Sequence, residues 1–188
     1  MNTTVANEQV SPAPRIAARP ARDIATGALE AMARVSAWLG GLFLLATALL
    51  VAAQILARLA GAQIPSADDV TAWFLAGSVL LALPYALRQG SHIRVTLLLH
   101  MLPAGLRRFC EVLSNVAALI LAGWAAWHCT GFVQDSFLNN EVSQGIVALP
   151  MWIPQLSMPV GLWGLFAMLA GRLAALLSGS PWPEEDHG

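Results

Sequence analysis

Charged and apolar positions along this chain separate into blocks rather than alternating. Residues 35–53, 70–87, 112–127 and 151–171 contain no Asp, Glu, Lys, Arg or His. With its flanks, each block approaches the roughly 20 apolar helical residues that cross the hydrocarbon core of a bilayer. The pattern predicts an all-α integral membrane protein. Its four transmembrane helices fall at about residues 35–59, 69–87, 108–130 and 151–177.

The segments between the blocks carry their own patterns. From Arg88 to Glu111, residues such as Ile93, Val95, Leu97, Met101 and Phe109 are interleaved with Arg94, His100, Arg107 and Arg108. That stretch is too short and too charged to cross. It predicts an interfacial amphipathic helix between spans 2 and 3, closed by Pro103 and Gly105. Before span 1, Ile24, Ala28, Leu29 and Met32 share a rough helical face. Residues 22–34 therefore either lie on the membrane or extend the first helix inward. Pro65 and Ser66 shorten the first connection, and Pro150, Pro154 and Pro159 cluster in the first turns of span 4, where proline is tolerated. Residues 1–21 are rich in Ala, Pro and polar residues and are expected to be a disordered N-tail. Residues 22–177 form the membrane domain, and 178–188 an acidic tail.

Composition supports this partition: 57% of residues are hydrophobic and 11% charged, against about 25% charged in a soluble domain. The chain has no lysine and ten arginines. Arg15, Arg19, Arg22 and Arg34 precede span 1, Arg88, Arg94, Arg107 and Arg108 lie between spans 2 and 3, and Arg172 closes span 4. Only Arg58 falls on the other side. Short arginine-bearing segments stay inside, so both termini and the central loop are expected in the cytoplasm of a bacterial inner membrane. Trp73, Trp124, Trp127 and Trp152 near the outer ends, and Trp38 near the inner end of span 1, suit the headgroup level. Trp163, in mid-span, reads as a packing residue. Ala60-Gly61-Ala62 resembles a signal-cleavage site, but the apolar run is long and Arg58 interrupts it, so an uncleaved first span is expected. A formal charge of −1 with no basic patch away from the membrane boundary gives no reason to invoke nucleic acid.

Candidate chemistry is sparse. No carboxylate lies deep in a span, and ion pumps usually keep an ionisable group there, so an autonomous carrier is disfavoured. Arg58 and Arg88, at span ends, read as snorkelling to headgroups. His92 and His100 belong to the inner loop, His128 to an outer helix end and His187 to the tail, which is no arrangement for haem. Cys110 and Cys129 are 19 residues apart on one helix, about 28 Å, far beyond disulfide reach. No catalytic, cofactor or metal residues are assigned. Ser157, Gly161, Gly164, Met168, Gly171 and Ala175 form a small-residue stripe on span 4, fit for internal packing or for another subunit.

One region is recognisable. Asp68 and Asp69 open span 2, Gly77 lies within it, and Arg88, Gly90, His92, Ile93 and Val95, with Arg94, form an Arg-x-Gly-x-His-Ile-x-Val signature at its inner exit. A second region runs Leu149-Pro150-Met151-Trp152-Ile153-Pro154, then Pro159-Val160-Gly161. Both resemble the DctQ-like small membrane subunit of tripartite ATP-independent periplasmic (TRAP) transporters. That family often has Glu-Glu where this chain has Asp-Asp, a departure that keeps the charge.

The resemblance implies a scaffold, not an enzyme. Its partners would be a large multi-span subunit, which holds the sodium and substrate sites and moves elevator-fashion, and a periplasmic substrate-binding protein delivering an organic acid. Arg88, His92 and Arg94 would fix the inner loop on phosphates, loop carbonyls or the partner, or would serve only as positive-inside anchors. Asp68 and Asp69 would cap span 2 or meet the binding protein, while Pro150, Trp152, Pro159 and Gly161 set the start of span 4. Two other classes have four spans: a membrane anchor of a respiratory oxidoreductase binding haem or quinone, and a small drug exporter. The histidine depths weigh against the first, and the missing intramembrane carboxylate against the second.

Overall fold

The structure, a computed structural model, describes residues 20–89, 103–143, 145 and 147–178. These residues form the helices α1 (Pro20–Leu59), α2 (Ala67–Arg88), α3 (Ala104–Leu138), α4 (Trp152–Gln155) and α5 (Ser157–Ser178). Leu156 joins α4 to α5 in helical geometry, with φ −56° and ψ −29°. Four stretches are long and apolar enough to cross a membrane: Thr26–Leu59, Ala67–Arg88, Gly105–Leu138 and Trp152–Ser178. The fold class is therefore all-helical with four membrane-length spans. The predicted interfacial helix lies outside the described residues.

Two helices are longer than the apolar blocks. α1 begins at Pro20, so residues 22–34 continue the first span rather than forming a separate element. Its 40 residues reach about 60 Å, roughly twice the thickness of the hydrocarbon core. α3 runs on to Leu138, beyond the expected end near residue 130. There Val133 and Ser136 are buried while Gln134 and Asp135 face outward. The helical period thus outlasts the apolar run. Asn139 ends α3 by donating its N–H to the Asp135 carbonyl.

The helices stand in an open row, α1–α2–α5–α3, in which α1 makes a smaller contact with α5 and α3 packs on α5 and α4. α2 and α5 run parallel at the centre. Their seam explains the small-residue stripe. Pro84, wholly buried within α2, has no N–H to return to the Leu80 carbonyl. Gly161 fits against that same carbonyl, and a Cβ there would overlap it. One turn on, a Cβ at Gly164 would lie 2.9 Å from Pro84 Cγ. Met168 and Ala175 continue the buried line. Where lipid removes the ordinary hydrophobic drive, such close backbone approach supplies the packing contacts that hold helices together.

α1 joins this centre through the same device. A Cβ at Gly40 would lie 2.9 Å from the Ser78 carbonyl oxygen, and one at Gly77 would lie 2.6 Å from the Phe43 ring. Polar ties supplement the packing. Gln54 Nε2 donates to Thr71 Oγ1 at 3.1 Å between α1 and α2, and Trp163 Nε1 donates to Thr130 Oγ1 at 3.1 Å between α5 and α3. Trp163 thus tethers α5 to α3 at an exposed helix edge, while its ring packs edge-on against Phe166. Other hydroxyls bond back into their own helices, as Thr47 does to the Phe43 carbonyl at 2.9 Å. An apolar medium offers them no better partner.

Gly161→Ala is expected to lower the resistance of the purified chain to SDS-induced unfolding by about 2 kcal/mol, the usual cost of overpacking. Gly41, with open space around it, provides the control, and Gly41→Ala should leave the midpoint unchanged.

Candidate functional site

At the arginine-rich end, several of the described arginine side chains are engaged within the protein. Arg88, in the last turn of α2, is only 8% exposed. Its Nη2 lies 3.4 Å from Glu30 Oε1 on the extension of α1, and the other oxygen, Oε2, lies 3.7 Å from Arg34 Nη2. Arg88 therefore does not snorkel to headgroups: it is buried against a carboxylate. A guanidinium withdrawn from water needs such a partner. Arg107 Nε donates to Glu111 Oε1 at 2.9 Å, and Arg108 Nη2 donates to the Leu176 carbonyl at 3.2 Å, tying the start of α3 to the end of α5. Gly90, His92 and Arg94 lie outside the described residues.

At the opposite end, the connection after α3 folds onto the start of α2. Val142 and Pro150 form an antiparallel bridge, with Ser143 N–H donating to the Leu149 carbonyl at 2.8 Å. Ser136 Oγ donates to Glu141 Oε2 at 2.6 Å, and Trp152 meets Phe137 edge-on with ring centroids 5.6 Å apart. Ser66, in the left-handed region at φ 55°, occupies the cap position of α2, yet no side chain caps the helix by a hydrogen bond. Its Oγ instead accepts the Val147 N–H at 3.1 Å. Ser143 Oγ reaches Asp69 Oδ2 at 3.5 Å and accepts the Gly145 N–H at 3.2 Å. A side chain at Gly145 would collide with Ser66 and Asp69.

The acidic pair thus divides. Neither Asp68 nor Asp69 is the hydrogen-bonding cap, although both lie in the first turn, where the helix dipole favours negative charge. Asp69 faces the folded connection. Asp68 lies 4.0 Å from Arg58 with both side chains mostly exposed, a contact worth little. Of the span-4 residues, Pro159 and Gly161 are buried in α5, and Pro150 and Trp152 belong to the folded connection and the start of α4.

Large apolar faces remain open. Trp38, Leu49 and Leu59 on α1, and Leu121, Trp124 and Trp127 on α3, are strongly exposed. A groove of about 390 Å³ runs between α1, α2, α4 and α5, lined by Phe43, Trp73, Leu81, Ile153 and Val160 among others. Among the described residues no three of His, Cys, Asp and Glu come together.

A family model described as "Tripartite ATP-independent periplasmic transporters, DctQ component" matches residues 47–179. The chain belongs to the DctQ family. It is also 25% identical over 172 residues to a protein named "Isethionate TRAP transporter permease protein DctMQ" from Oleidesulfovibrio alaskensis. That match takes in 84% of this chain and 26% of the relative, so the chain spans about a quarter of the relative's length. As a DctQ component, the protein is a multi-pass membrane part of a transporter. Several of its ties carry little sequence signal. Glu30 is an isolated carboxylate four residues before Arg34, and Ser66 and Ser143 look like ordinary loop serines.

Ser66→Ala removes the acceptor for Val147 N–H. The loss of one hydrogen bond should speed amide exchange at Val147 by about tenfold, with helix protection unchanged. Hydrogen–deuterium exchange of the chain in nanodiscs reads both.

Proposed function

We propose that this chain is the small scaffold subunit of a sodium-driven TRAP transporter in a bacterial inner membrane. It pairs there with a large multi-span subunit and a periplasmic substrate-binding protein. The observation that carries this reading is the family match over residues 47–179, which takes in the last three membrane-length helices whole and the final part of the first. The arginine-rich end then faces the cytoplasm, and the Asp68–Asp69 end faces the periplasm. The transported solute is a small organic acid. A carboxylate is the class that the family resemblance suggests, while the relative's named substrate, isethionate, is a sulfonate.

The mechanism follows from what the helices present. Spans without deep carboxylates provide no ion relay of their own, so the driving ion and the solute use sites on the large subunit. A row of four helices with exposed apolar faces instead widens the fixed frame against which a moving part works. The groove and the open faces of α1 and α3 are surfaces on which that neighbour and the surrounding lipid pack.

Reconstitution separates the roles. Sodium-dependent uptake into proteoliposomes is expected only when this chain, the large subunit and the binding protein are all present. Full uptake by the large subunit and binding protein without it would overturn the scaffold reading, as would solute transport by this chain alone.

A further inference from the structure

The first helix continues well inward of its apolar block, and a projecting helix of such length is marginal in water unless something holds it. Ala33 and Ser36 are buried, and Met32 Cε comes within 4.0 Å of where a Cβ on Gly164 would stand. Those contacts are short-range and apolar or nearly so. Among the described residues, Glu30 provides a charged link from the extension to the end of α2: its carboxylate faces Arg88 at 3.4 Å and Arg34 at 3.7 Å. The two arginines are not equivalent. Arg34 sits one turn away on the same helix with its side chain 62% exposed, so it constrains nothing between helices. The Arg88 side chain is 9% exposed and belongs to another helix.

We propose that Glu30 is a positioning residue: the half-buried counter-charge that holds the buried Arg88 and locks the inner extension of α1 to the end of α2. The signature arginine is thereby turned into the protein and away from lipid. The pair meets at the last turn of α2. Glu30 lies outside the stretch matched by the family model, whereas Arg88 lies inside it. The pairing stands on geometry alone. Only its consequence for assembly rests on the scaffold reading.

Charge reversal tests it, because exchanging the two residues moves no net charge across the membrane. Spin labels on Ala31→Cys and Ala86→Cys, in the full chain with Cys110 and Cys129 replaced by Ser, report the separation of the extension from α2 in nanodiscs. Capture of the co-expressed large subunit reports assembly. Glu30→Gln and Arg88→Gln should each broaden the distance distribution and lower capture several-fold. The double variant Glu30→Arg with Arg88→Glu, and separately Glu30→Asp, should restore most of both signals. Arg34→Gln should behave as the unaltered chain. A wild-type distance distribution in Glu30→Gln, or a reversed pair as defective as the single variants, would overturn the proposal. If the distances respond as expected but even the unaltered chain captures no large subunit, the clip stands and the scaffold reading fails.

Discussion

The contact on which the rest of this molecule depends is the parallel seam between α2 and α5. Pro84 withholds one backbone donor, the Leu80 carbonyl is left facing the neighbouring helix, and Gly161 lets that helix come close to it. In water, a bundle can be held by expelling solvent from bulky side chains. In lipid that drive is absent, and packing density has to come from backbones that approach each other. Gly164 against Pro84 repeats the device one turn further on. Every other helix is positioned relative to this pair, with α1 on the α2 side and α3 on the α5 side.

An open row has two flanks, which a closed ring of four helices would not. Both flanks here are apolar and exposed over most of their length, which suits a membrane part of a transporter. The row is pinned at its ends by polar contacts of different kinds. At one end buried or bridging arginines reach Glu30 and the Leu176 carbonyl. At the other, serines and backbone groups fold the connection after α3 over the start of α2. A DctQ component read as a frame needs such ties at both ends.

Much of this was legible in the residues because a bilayer imposes a simple code. Block length set the number of spans, and the small-residue stripe on span 4 marked the seam, though only the structure shows that it faces α2. What remained hidden has identifiable physical causes. α3 passes its expected end because outward-facing polar residues near Asp135 mask a helical period that buries Val133 and Ser136. The acidic pair suggested a cap, whereas the left-handed Ser66 takes that position and leaves Asp69 to face Ser143. Arg88 read as a snorkelling cation because its partner, Glu30, lies 58 positions earlier in the chain. Long-range pairing of this kind leaves no periodic trace.

The central claim is that this protein is a rigid frame beside a moving neighbour. The most direct test labels the outward-facing Val79 on α2 and Leu121 on α3 with spin probes in the assembled transporter. Their separation is then measured with and without sodium and substrate-loaded binding protein. A frame predicts one distance distribution under all conditions, while probes on the large subunit shift. A change in the Val79–Leu121 distance that follows sodium or substrate would contradict the account, because these helices would then belong to the moving part.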